Sequence, residues 1–182
     1  MNRTRRGWVR LAAAAGLLGL AGCASIPHDE SPLDGDLFAG RLSVRVEAEG
    51  SQPVRALNAS FELRGDPRTG RLDLSTPLGT ILAQARWSPS QVVLATPKGE
   101  RQFPDLDALT REVLGEPVPV AALFDWLHGR PWPGAPSHPS TGERGFEQLG
   151  WLVNLASFDE DLLSAHRDSR PPVTLRVKLA RP

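Results

Sequence analysis

The sequence predicts a mainly β protein, an antiparallel sheet interrupted in mid-chain by two short amphipathic helices. Three observations predict it. Apolar and polar residues alternate with period two in one segment after another from Leu42 onward. Short turns rich in Gly, Pro, Asp and Ser separate these segments, and short turns join neighbouring strands antiparallel. The period changes to that of a helix between Asp105 and Gly129.

The elements follow in order. Leu42, Val44 and Val46 alternate with Ser43, Arg45 and Glu47, then Leu57, Ala59, Phe61 and Leu63 with Asn58, Ser60, Glu62 and Arg64. Each strand has one apolar and one wet face. The turn 65–70 leads to Leu72 and Leu74, and Thr76-Pro77-Leu78-Gly79 turns the chain again. Strands are expected at 80–87, 91–96 and 100–103. Asp105 or Asp107 caps a helix presenting Leu106, Leu109, Val113 and Leu114, closed by Gly115. A second helix presents Val120, Leu123, Phe124, Trp126 and Leu127, stopped by Gly129 and Pro131. Residues 131–145 read as a long Pro/Gly/Ser-rich connection, after which strands return at 146–148, 151–157 and 173–179. Two helices of about 10 residues cover only part of so wide a sheet. Either the sheet closes on itself as a filled barrel, or it keeps a greasy hollow under a helical lid.

Ahead of the sheet, Arg3, Arg5, Arg6 and Arg10 precede an apolar run from Leu11 to Ala21. That is the layout of a secretory leader, and the run is too short for a helix that needs about 20 residues to span a bilayer. Leu20-Ala21-Gly22 stands before Cys23, the pattern of a lipobox, so residues 1–22 are expected to be removed and Cys23 to carry diacylglycerol and an N-acyl chain. Cys23 is the one cysteine of the 182 residues, which excludes an internal disulfide. Residues 23–36 read as a tether rich in Pro, Asp, Ser and Gly, and residues 37–182 as a single domain. The leader holds four of the 21 basic residues and none of the 21 acidic ones, so the remainder is mildly acidic. Nothing in that balance suggests nucleic acid.

No catalytic constellation emerges: the sequence contains no G-x-S-x-G elbow, H-E-x-x-H, phosphate loop or metal-ligand spacing. His28, His128, His138 and His166 are scattered over polar or loop positions, and Asp159-Glu160-Asp161 reads as a solvated turn. A catalytic residue, a metal and a cofactor are therefore not expected. What remains is apolar. From their faces, Phe61, Leu72, Leu74, Ile81, Phe124, Trp126 and Trp151 are the candidates to line a cavity.

Several segments, in order, resemble the LolB family of outer-membrane lipoprotein receptors: Phe38-Ala39-Gly40-Arg41-Leu42-Ser43-Val44, Ala59-Ser60-Phe61-Glu62-Leu63, Leu72 to Gly79, Leu123 to Pro131, and Gln148 to Val153. With the lipobox they span most of the chain. The resemblance implies an incomplete, half-open antiparallel β-barrel around an apolar cavity with the two helices as its lid. It implies a monomer, not an enzyme, that accepts lipoproteins from the periplasmic carrier LolA, binds their acyl chains and inserts them into the inner leaflet of the outer membrane. It also implies that the turn of Pro77, Leu78 and Gly79 is a membrane-insertion loop with Leu78 at its apex. One departure stands out: where the family closes on a final hairpin with a tryptophan, this sequence offers a single clear strand, Val173 to Leu179, so one edge is expected to be more open. The residues alone leave a second reading, a structural envelope lipoprotein with a filled core, or a binder of other lipids.

Overall fold

The computed structural model describes residues 33–180. The lipobox, Cys23 and most of the expected tether lie outside them. Eleven strands form one antiparallel sheet: β1 (Asp36–Val46), β2 (Arg55–Gly65), β3 (Gly70–Ser75), β4 (Ile81–Ser88), β5 (Gln91–Thr96), β6 (Gly99–Phe103), β7 (Ser137–Pro139), β8 (Gly145–Gln148), β9 (Trp151–Asn154), β10 (Leu162–Arg167) and β11 (Val173–Leu179). Their spatial order is β6-β5-β4-β3-β2-β1-β11-β10-β9-β8-β7. Every pair but one joins strands consecutive in sequence. The exception is β1 with β11, paired from Gly40 against Leu179 to Val46 against Val173, which places the two ends of the domain side by side in mid-sheet. The sheet does not close: β6 and β7 are free edges, and the chain that connects them carries α1 (Leu106–Leu114) and α2 (Val120–Trp126). A chain that must travel from one edge to the other crosses the gap between them, so the helices lie where a barrel would have been sealed.

Local chemistry sets the turns. Asp66 Oδ1 accepts from the backbone N–H groups of Arg68 and Thr69 at 2.6 and 2.8 Å, folding the β2–β3 turn. Gly70 follows because a Cβ there would sit 2.4 Å from the ring of Trp87, its partner on β4; the Trp87 Nε1 donates to the Asp66 carbonyl at 3.2 Å. Asp105 caps α1 by accepting from Ala108 N at 2.7 Å, and Gly115, with φ of 89°, ends it.

The two helices differ in kind. In α1 the buried residues are Leu109, Thr110 and Leu114, a single stripe, while Val113 remains 45% exposed. In α2 almost every residue is buried, with Trp126 fully so. Trp126 packs edge-on against Phe146 and Trp151 at centroid distances of 6.3 and 6.2 Å, and Phe124 meets Trp87 at 6.2 Å. So α1 lies over the concave face as a cover, and α2 is driven into one end of the half-barrel as a plug.

The structure corrects the chain ends. The polar stretch after the acidic turn forms β10, and the C-terminal strand is therefore not solitary: Leu163 pairs with Val177 and Ala165 with Leu175 in a final hairpin. Only these two β10 side chains are buried, too few for an alternation to register in the sequence. The short β7 forms inside the expected 131–145 connection, and the strand expected at 151–157 ends at Asn154, where the chain turns into a 3-10 segment, Phe158–Glu160.

Candidate lipid-binding site

Beside the plug the half-barrel is hollow. A cavity of about 430 Å³ opens between α1 and strands β1 to β5, within the usual range of ligand pockets. Its eighteen lining residues are apolar but for Thr96 and Thr110. Thr110 is internally satisfied: its hydroxyl accepts from Val118 N at 3.0 Å and lies 3.1 Å from the Leu106 carbonyl. Leu42, Leu57, Leu72, Leu74 and Ala83 point to the same side as the core yet are only partly buried, because they face empty space.

The expected lining residues divide accordingly. Leu72 and Leu74 stand on the cavity wall. Phe61, Phe124, Trp126 and Trp151 are 5%, 2%, 0% and 1% exposed and do not line it; Phe124, Trp126 and Trp151 pack against other rings at the closed end, and Phe61 is buried in the core opposite Leu74. Ile81 is displaced from the wall. A register shift between Leu74 and Ser75 sets Leu74 against Ala83 but Ser75 against Ile81, which turns Leu82 toward the cavity. A bulge of this kind breaks the alternation on which the sequence reading relied.

Two polar features hold the cover and plug in place, and neither is legible as a motif. The Gln148 amide is 2% exposed and fully bonded: Oε1 accepts from Trp126 Nε1 at 2.8 Å and Trp132 N at 2.9 Å, and Nε2 donates to the carbonyls of Trp132 and Ala135 at 2.7 and 2.8 Å. It bolts α2 to β8. A glutamine in register with Phe146 on the inward side of β8 is the only signal the sequence offers. At the other junction Arg167, at the end of β10, forms an ion pair with Glu116 at 2.6 Å and donates to the Pro117 carbonyl at 3.3 Å, while its guanidinium lies 5.1 Å from the Trp151 ring. Residues 115–119 link the two helices, so this pair latches the cover to the far half of the sheet.

Outside the cavity, Leu78 is 96% exposed. Gly79 N donates to the Thr76 carbonyl and Thr76 N to the Thr80 carbonyl, both at 2.9 Å, closing a tight loop. Pro77 sets its bend, and Gly79, with φ of 86°, takes a backbone conformation that side chains resist. The loop presents a leucine to solvent with nothing of the fold within reach to bury it.

The titratable groups of the described residues form no centre. His128 meets Asp36 at 3.1 Å, His166 lies between Thr174 and Asp168 at 3.1 and 2.7 Å, and His138 is exposed on β7. No group of His, Cys, Asp and Glu among the described residues is arranged to hold a metal ion, and no described helix is long and apolar enough to cross a membrane.

An open half-barrel with a greasy hollow and an edge-to-edge helical insert is matched in sequence as well. The model of the family "Outer membrane lipoprotein LolB" matches residues 37–181. The chain belongs to the LolB family. Among relatives named outer-membrane lipoprotein LolB, that of Bordetella petrii is 38% identical, over 85% of this chain and 80% of its own. The one from Cupriavidus necator is 34% identical over 100% of this chain and 91% of its own, and that of Cupriavidus pinatubonensis 36% identical over 88% and 80%. As a LolB-family member the chain is an outer-membrane lipoprotein that accepts lipoproteins and inserts them into that membrane. It is a localisation receptor, not an enzyme, and its task needs no cofactor.

Proposed function

We propose that the cavity under α1 is the site that receives the acyl chains of lipoprotein cargo handed over by the periplasmic carrier LolA, and that Leu78 leads the cargo into the inner leaflet. The carrying observation is the cavity itself, sixteen of whose eighteen lining residues are apolar. Exposing about 15 methylenes to water costs on the order of 12 kcal/mol, so a diacyl or triacyl cargo does not travel free. It moves from one apolar pocket to the next, and transfer needs no energy source where affinity rises along the route.

The cavity opens directly beside α1, so cargo enters past the cover. α1 is the part suited to moving, since α2 is bolted through Trp126 and Gln148 whereas α1 is buried along one stripe. The Arg167–Glu116 pair then sets how readily it opens.

In the same reading residues 1–22 are an export leader, Cys23 carries the lipid anchor, and the segment before β1 is the tether that lets a monomeric domain reach both carrier and membrane. Transfer of a radiolabelled lipoprotein from its carrier to a form of this protein without its anchor tests the proposal. Acceptance is expected, and Val113→Trp, which crowds the cavity mouth, is expected to reduce it. A receptor that takes no cargo, or whose acceptance ignores changes to the cavity wall, would refute the reading.

A further inference from the structure

The outward face of the sheet carries a second concave feature beside the Leu78 loop. Strand register gathers three cations there. Arg41 on β1 lies directly opposite Lys178 on β11, and Ser43, the next outward residue of β1, lies opposite Arg176. With neighbouring strands about 4.8 Å apart, the three charges share one small area. They line a groove of about 490 Å³ together with Ser60, Leu162 and Pro77. Pro77 is the residue before Leu78, so the groove and the exposed leucine border one another.

The cluster has the electrostatics of an anion site. No Asp or Glu lines the groove. Arg41, Arg176 and Lys178 are all exposed, and among the described residues no carboxylate pairs with Arg41 or Arg176. Lys178 Nζ donates to the Glu160 carbonyl, which fixes its position and leaves its charge uncompensated by that bond. Three like charges held together by register repel one another and weaken pairing unless an anion joins them. Leu162, 38% exposed, adds an apolar rim. Cations beside exposed leucines are the pairing found on surfaces that rest at a headgroup layer, where basic side chains meet phosphate and apolar ones sink below it.

We propose that this groove binds the headgroups of anionic phospholipids in the membrane surface, and so orients the half-barrel with Leu78 pointing into the leaflet. The inference rests on the reading that Leu78 enters the bilayer, and adds a ligand class and a site to it. Near an anionic surface each cation is worth about fivefold in the docked-to-undocked ratio, roughly a hundredfold for all three, and the effect weakens with salt.

The test uses the processed, lipid-anchored protein reconstituted into vesicles of phosphatidylethanolamine alone or with phosphatidylglycerol. A nitrobenzoxadiazole probe on Thr80→Cys, whose only companion cysteine is Cys23, brightens when the loop enters hydrocarbon. Brightening is expected to be greater with phosphatidylglycerol. It should fall to the phosphatidylethanolamine level in R41Q/R176Q/K178Q, and persist in the charge-retaining R41K/R176K. It should also persist in R68Q/K98Q/R111Q, which removes as many charges away from the groove. A thermal midpoint equal to that of the parent shows that the triple variant is folded. Equal brightening on both vesicles, or a folded triple variant that brightens like the parent, would overturn the headgroup site while leaving Leu78 insertion standing. No brightening on either vesicle would overturn the insertion reading, and this proposal with it.

Discussion

On the proposed role of the Leu78 loop, Leu78→Glu is expected to separate the receiving and releasing halves of the task. The side chain is 96% exposed and lies outside the cavity wall, so the change should alter folding stability by less than about 0.5 kcal/mol and leave acceptance of cargo untouched. Membrane entry is another matter. Sinking a leucine side chain into hydrocarbon is worth about 2 kcal/mol, which is roughly a 30-fold preference for the inserted loop. Glutamate forfeits that preference and adds the cost of bringing a carboxylate toward the bilayer, about 3 kcal/mol at its centre and less near the interface. The loss in delivery is therefore at least about 30-fold, with Leu78→Ala retaining part of it. A two-stage assay resolves the halves: labelled lipoprotein is first taken from the carrier, and vesicles are then added and floated. Normal uptake with slowed appearance of label in the floated fraction is the expected result. Unchanged delivery by Leu78→Glu, or a parallel loss of uptake, would refute the assignment of the loop to release.

The other predictions concern the cover, the plug and the loop backbone. Arg167→Met leaves Glu116 half-buried without its partner and should cost about 2 kcal/mol; it should also speed uptake of a fluorescent fatty acid, and slower uptake would argue against a latch. Gln148→Leu strands the Trp126 indole and Trp132 backbone donors, together with two carbonyls, so a loss of about 3 kcal/mol and a thermal midpoint lower by roughly 10 °C are expected by calorimetry. Gly79→Ala meets no neighbour but must keep a φ of 86°, and should cost about 1 kcal/mol in denaturant unfolding, with Gly79→Asn costing less.

The amino-acid sequence by itself determined the run of antiparallel strands from β1 to β6, because β1 to β3 carry a period-two pattern and local turn signals bound the rest, and it determined α1 through its Asp105 cap and apolar stripe and α2 through its apolar spacing and the Gly129–Pro131 stop. It also exposed Leu78, since a Thr-Pro-Leu-Gly turn is set by neighbours in the chain. Tertiary structure alone decided where the hollow lies. Phe61, Phe124, Trp126 and Trp151 share the inward side with Leu72 and Leu74, and no periodicity distinguishes a side chain that meets packed neighbours from one that meets a void. The exchange of Ile81 for Leu82 at the bulge, the pairing of β10 with β11, and the Gln148 and Arg167 attachments are likewise long-range. Each depends on partners brought together by the closing of the sheet, and a linear pattern records only the side a residue faces.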